Sequence, residues 1–408
     1  MLKRNIHRIM ALAISALAIS ACGKSETAPA VKDEPVVTDK APTAETPPAA
    51  AANPVTAAVA APVPEAAPAN LPKFTLAWSE YTTWSLLVTA KDVGLIDASE
   101  GKYGELERKY GVDIVFTQSS YGKSMEQYQG GTVDSVVITN TDALSVANAR
   151  YETVKDASVA AFPTSYSFGA DKLQTNPDIK TWAALKGVAV WGDEMSVTRY
   201  LHWRACTVNK TDVKDYPFTN MDPTEASNQF IAKSNPDMRA FGGWSPETLR
   251  VKDARPEVID LFNSSMIGKY EITDMFVVGQ SALDRAGGKE ALKALAEAYT
   301  TMVNRVENPA TQAATLAAVS KNFSNTPAET IKTALTLTLV TKPDQAAAVF
   351  NSPEFKASLP LTEAFSKTVT KTIPGPVVTA FGTKAEAPSA VLRFDASYVT
   401  NPSVGANP

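Results

Sequence analysis

Val133-Asp134-Ser135-Val136-Val137-Ile138-Thr139-Asn140-Thr141-Asp142-Ala143-Leu144 decides the fold class of this chain. Residues 133–138 read as a strand, three of the six being valine, and the pattern then predicts a helix over 142–149. Thr141 is placed to cap that helix, and Asp142 at its first position suits the positive end of the helix dipole. A strand that passes within one turn into a helix is the repeating step of an α/β fold with mainly parallel sheets.

The same step recurs on both sides. Upstream, strand 74–78 precedes a helix over 84–93 stopped at Gly94. Helix 104–110 is closed by Gly111, strand 112–116 follows, and helix 124–129 ends at Gly130-Gly131. Glycine ends such helices because it accepts the left-handed conformation at little cost. Downstream the pattern predicts strand 166–170, strand 188–191, helix 197–207, strand 217–219, helix 224–232 and strands 238–241 and 273–278. Beyond Asp284 it turns helical, over 289–306, 311–320, 328–339, 343–350 and 361–369. Two α/β blocks with a helical C-terminal region suggest two lobes around a ligand cleft, with ligand at the loops beyond the C-terminal strand ends. A single large α/β enzyme domain shares this periodicity.

The N-terminus is a different material. Lys3, Arg4 and Arg8 precede an apolar run over 9–21 of about 13 residues, short of the about 20 that span a membrane. It ends in Leu17-Ala18-Ile19-Ser20-Ala21-Cys22, which resembles a bacterial lipobox; the alternative is an ordinary leader with a chance cysteine. Residues 1–21 are therefore expected to be a lipoprotein signal peptide, with Cys22 the lipidated residue. Residues 22–72 are the lipidated cysteine and an Ala/Pro-rich tether, because proline removes backbone donors and alanine offers little surface to bury. Of the chain's two cysteines, Cys206 then has no partner for an intrachain disulfide.

The formal net charge is −4, and loss of the leader makes the remainder more acidic. An acidic chain with no basic stripe argues against nucleic acid as a partner. Enzyme signatures are missing: there is no Gly-x-Ser-x-Gly elbow, Walker loop or Gly-x-Gly-x-x-Gly fingerprint. Beyond the leader only His202 remains. His202 and Cys206 share a helical face, which reads as packing rather than as a metal pair. No enzyme, metal or cofactor is expected.

The order of motifs resembles the nitrate/sulfonate/taurine and thiamine-precursor group of ABC-importer substrate-binding proteins, and within it the urea- or guanidine-associated binding proteins. The resemblance rests on Leu76-Ala77-Trp78-Ser79-Glu80-Tyr81 with Trp84, on Gln127-Tyr128 before Gly130, and on the 133–144 run. It continues in Glu194-Met195-Ser196-Val197-Thr198-Arg199-Tyr200-Leu201 and in Ala240-Phe241 to Trp244-Ser245-Pro246, covering roughly residues 73–380. It implies a type II periplasmic-binding fold, with lobe one at 73–165, lobe two at 166–282, helices over 283–385 completing lobe one, and a tail at 386–408. It also implies a monomer that hands a small solute to a permease and its ATPase. With the lipid on Cys22, the expected location is the periplasmic side of the cell envelope. Gly23 replaces the aspartate that favours inner-membrane retention, so either membrane fits.

The expected ligand-binding residues are Tyr81, Trp84, Asn140, Asp142, Glu194, Ser196 and Trp244. Tyr81 and Trp84 offer rings to stack on a flat ligand or cage a cation, at about 0.5–2 kcal/mol per contact; the bland reading is that they cover the sheet end. Asn140 and Asp142 stand at a strand-to-helix turn, where capping alone also explains Asp142. Asp193 and Glu194 precede the helix that Ser196 opens. A second anion there meets repulsion of roughly 1–4 kcal/mol, which favours a cationic or neutral nitrogen-rich solute of the guanidine, urea or amine type. The alternatives are an organic anion such as a sulfonate held by Ser196 and the helix N-terminus, or a thiamine-precursor binding protein or enzyme of the same fold. Asp222 and Thr224 read as capping residues. Trp244, after Gly242-Gly243, is the candidate for the opposite wall.

Overall fold

The computed structural model describes residues 65–399 apart from 67, 69, 374 and 376. The expected leader, Cys22 and most of the tether lie outside the described residues, as does the end of the expected tail. Among the described residues no helix is long and apolar enough to cross a membrane.

Two sheets carry the architecture. In the larger, Asp113–Gln118, Lys73–Trp78, Ser135–Thr139, Thr273–Gly279 and Ser158–Ser167 lie side by side in that order, followed by Leu392–Phe394 and Thr379–Phe381. Lys73–Trp78 runs parallel to both of its neighbours. Thr273–Gly279 is antiparallel to both of its own. Thr338–Val340 pairs with the end of Ser158–Ser167. The smaller sheet orders Ile259–Asn263, Lys172–Thr175, Ala240–Gly243, Val190–Gly192 and Phe218–Asn220, the last three mutually parallel. The expected α/β fold with two lobes is what the chain forms.

The strands of the larger sheet are buried on both faces: Val136, Val137, Ile138, Phe276 and Val277 are all in the core. That burial explains their near-continuous apolar runs. Helices Trp84–Thr89, Glu105–Tyr110, Gly288–Glu307 and Pro309–Asn322 pack with one another, and Tyr121–Gln129, Asn140–Val154 and Pro353–Thr368 form a second group. The smaller sheet packs its own core around Leu173, Val190, Tyr200, Leu201 and Ala240, which takes in Cys206.

Several sequence expectations change. The strand expected at 166–170 is the end of the ten-residue strand Ser158–Ser167, hidden by Ala160, Ala161 and Pro163. Pro163 sits where the pairing register shifts, a place that tolerates a missing backbone donor. The strand at 273–278, expected to complete the second block, lies in the middle of the larger sheet; its partners are over 100 residues away in sequence for Ser158–Ser167, beyond the reach of local pattern. Helix Glu247–Ala254 and strand Ile259–Asn263 were not expected. Leu392–Phe394, expected in the tail, pairs parallel to 158–160 with all three residues buried, and Glu65–Ala66, expected in the tether, pairs with Lys102–Tyr103.

The chain crosses between sheets after Ser167 and returns before Thr273. The crossings are stitched together: Ser167 Oγ lies 2.7 Å from Ser264 Oγ, which also accepts Gly169 N–H at 2.7 Å. Gly169 stands at φ +97°, a conformation that L side chains rarely adopt.

Candidate functional site

A cavity of about 720 Å³ opens at the C-terminal ends of the parallel strands of both sheets. The larger sheet supplies Tyr81, Trp84, Tyr121 and Thr139. The smaller supplies Asp193, Ser196, Asn220, Asp222 and Trp244. Asp171 comes from the first crossing and Asp274 from the start of strand Thr273–Gly279, where the second crossing ends. Its position follows the rule that ligands sit beyond the carboxyl ends of strands in open α/β sheets.

One wall is aromatic. Tyr81 and Trp84 have ring centroids 5.0 Å apart, and Trp84 stacks on Tyr121 at 5.7 Å. Tyr81 is fixed by its hydroxyl, 3.3 Å from Thr338 Oγ1, and burial raises its pKa well above the usual phenol value. Trp84 is only 4% exposed, and its Nε1 is buried without a hydrogen-bond partner. A buried donor of that kind is costly unless something satisfies it.

The opposite wall is built on close backbone approach. A Cβ on Gly242 would stand 2.6 Å from Thr198 Cγ2, and one on Gly192 2.7 Å from the Gly242 carbonyl oxygen. Only glycine lets helix Val197–Val208 seat its first turn against these strands. Ser196 caps that helix, its Oγ accepting Thr198 N–H at 3.2 Å and donating to the Asp193 carbonyl at 3.0 Å. Trp244 is half-buried beside it.

Electrostatically the cavity has one sign. Glu80, Asp171, Asp193, Asp222, Glu247 and Asp274 line it, and among the described residues no lysine, arginine or histidine does. Glu80 accepts from Gln118 Nε2 at 2.9 Å and Ser324 Oγ at 2.6 Å. Glu247 is engaged by Arg250 and Ser227. Asp171 is 2% exposed, its Oδ2 has no partner, and burial pushes its pKa up to about 6 against the Ser167 hydrogen bond. Asp274 is equally buried; burial raises its pKa well above the usual range, Ser165 opposes the rise and Asp171 adds to it. Burial also raises Asp193, with repulsion from Asp222 and Glu194 adding.

Of the residues expected in the site, Tyr81, Trp84, Ser196 and Trp244 line the cavity, and Asn140, Asp142 and Glu194 do not. Asn140 is fully committed: its Nδ2 donates to the Glu271 carbonyl at 3.1 Å and to Ser358 at 3.3 Å, and its Oδ1 accepts Thr273 N–H at 3.0 Å. It ties the helix to the returning crossing. Asp142 is buried behind Tyr121 and Thr139, whose hydroxyls donate to its Oδ2 at 2.7 and 2.8 Å, and burial pushes its pKa up to about 6. Glu194 is exposed, its backbone N–H donating to Asn220 Oδ1. Asp222 keeps its expected cap, accepting Thr224 N–H at 2.9 Å, and also lines the cavity.

Asp171 and Asp274 were missed. Both stand beside the crossings, and nothing local marks Phe168-Gly169-Ala170-Asp171 or Ile272-Thr273-Asp274 as a site. Tyr121, the first residue of the helix after strand Asp113–Gln118, was within reach of the strand-end rule but unused.

No protein-family model matches the chain, and no curated protein matches it. Among solved structures it is similar to the alkanesulfonate-binding protein SsuA from Xanthomonas axonopodis pv. citri bound to MOPS, at 16% identity and TM-score 0.54, covering 76% of this chain and 96% of that one. The aliphatic sulphonate-binding protein SsuA from Escherichia coli matches at 15% identity and TM-score 0.55, covering 75% and 95%. The nitrate-binding protein NrtA from Synechocystis PCC 6803 matches at 14% identity and TM-score 0.51, covering 77% and 92%. These likenesses show that the chain has the periplasmic-binding-protein fold.

Proposed function

We propose that this chain is the solute-binding component of an ABC importer, capturing a small nitrogen-rich cationic or neutral solute of the guanidine, urea or amine type. It delivers that solute to a permease and its ATPase from the periplasmic side of the envelope, tethered through lipid on Cys22. The observation that carries the ligand class is the cavity lining, with six carboxyl groups and, among the described residues, no basic side chain. A cation entering there gains charge-assisted hydrogen bonds of about 1.5–3 kcal/mol each, and an anion meets repulsion.

A second reading, an organic anion, is favoured by helix Val197–Val208, whose N-terminal Ser196 and Val197 line the cavity, and by the sulfonate- and nitrate-binding proteins of like fold. Against it, Asp193 lies beside that N-terminus. Calorimetric titration of the full chain with guanidinium, methylammonium, urea, taurine and nitrate separates the two. Heat from the first three alone is expected; binding of taurine or nitrate alone overturns the cationic reading.

A further inference from the structure

We propose that the cavity takes an extended solute with two positive ends, one held by Asp171 and Asp274 at the crossings and the other by Asp193 and Asp222 at the smaller sheet. This deepens the cationic reading above and rests on it.

The six lining carboxylates fall into three kinds. Glu80 and Glu247 are already engaged by side-chain donors. Asp171, on the first crossing, and Asp274, at the start of strand Thr273–Gly279, line the cavity as one pair, and Asp171 bears on Asp274 as both bear on Tyr81. Asp193 and Asp222 form a second pair, following strand Val190–Gly192 and preceding helix Pro223–Ala232.

Each pair keeps acceptor capacity. Asp171 Oδ2 is buried and unpartnered, an acceptor that only a donor in the cavity satisfies. Asp274 is held by Ser165 through Oδ2. Asp193 and Asp222 spend Oδ1 on the backbone N–H groups of Met195, Thr224 and Glu225. Carboxyl groups gathered at two places are satisfied most by a ligand with a cationic donor at each.

Size agrees. About 720 Å³ falls in the range of about 300–1,000 Å³ that encloses larger organic ligands, well beyond a lone ammonium or guanidinium ion. Trp84 and Trp244 also line the cavity, suited to cover the methylenes of a linker.

The test is calorimetric titration of the full chain with the series from diaminoethane to diaminoheptane, each beside its length-matched monoamine. Affinity is expected to pass through an optimum in length, with the best diamine at least about tenfold tighter than its monoamine, or about 1.4 kcal/mol. The double variant Asp193→Asn with Asp222→Asn, in which asparagine can still cap the backbone, is expected to bind the diamine no better than the monoamine. Asp171→Asn is expected to weaken both. Equal affinity for diamines and monoamines, or a diamine preference that survives the double variant, overturns the two-ended ligand and leaves the cationic reading standing. Failure of every amine to bind overturns both.

Discussion

The Tyr121 hydroxyl donates to Asp142 Oδ2 across 2.7 Å, and Tyr121 rather than Asp142 lines the cavity. Asp142 therefore supports the site from behind, holding the ring that Trp84 stacks upon. Asp142→Ala leaves the hydroxyls of Tyr121 and Thr139 without this acceptor and is expected to cost about 1–3 kcal/mol of stability, read by urea unfolding. Abolished binding with unchanged stability would instead put Asp142 in contact with the ligand.

Asp171 carries a folded pKa of about 6 against an ordinary 3.8. A raised carboxyl pKa stabilises the fold fully below the unfolded value, and that contribution is lost as pH rises through the folded one. The loss falls between about pH 4 and 6 and amounts to roughly 3 kcal/mol. Asp171→Asn should match the parent protein's ligand-free stability at acid pH and exceed it at neutral pH. Equal stability at both pH values in denaturant titrations would refute this.

The same ionisation sets the pH dependence of binding. A permanently charged cation needs Asp171 ionised, so its affinity should climb by up to about tenfold per pH unit below pH 6. Guanidinium is a suitable probe. An affinity that falls with rising pH would point to an anion site.

Trp84 Nε1 is buried with no partner. Trp84→Phe keeps an aromatic ring for stacking and removes an unsatisfied donor, so stability should change by less than about 1 kcal/mol. Ligand affinity should fall several-fold, measured by calorimetry. Stability loss with intact affinity would make Trp84 a core residue only.

Glu271 is buried on the returning crossing, engaged by Arg204 and by the Tyr200 hydroxyl at 3.0 Å. Glu271→Gln breaks a buried ion pair and leaves a guanidinium without its counter-charge. The expected cost is about 3–5 kcal/mol, seen as a lowered unfolding midpoint. A loss below about 1 kcal/mol would place the pair in the weakly coupled surface class.

Elements whose burial is written into a local run were legible. Lys73–Trp78, Val197–Val208 and Gly288–Glu307 fall where apolar spacing puts them. Elements whose sheet is chosen by distant partners were not. Thr273–Gly279 reads equally well in either sheet until Ser135–Thr139 and Ser158–Ser167 enclose it. Leu392–Phe394 is three residues long, too short for any period to show.

The site divides in the same way. By itself the sequence determined the α/β alternation and the strand-end position of Tyr81, Trp84, Ser196 and Trp244, because periodicity and turn chemistry act over a few residues. Tertiary structure alone decided that Asn140 and Asp142 are bound into the framework and that Asp171 and Asp274 face the cavity instead. Burial and hydrogen-bond partners come from segments far apart in the chain: Asn140 finds Glu271 and Ser358, and Asp171 and Asp274 reach one cavity from segments about 100 residues apart.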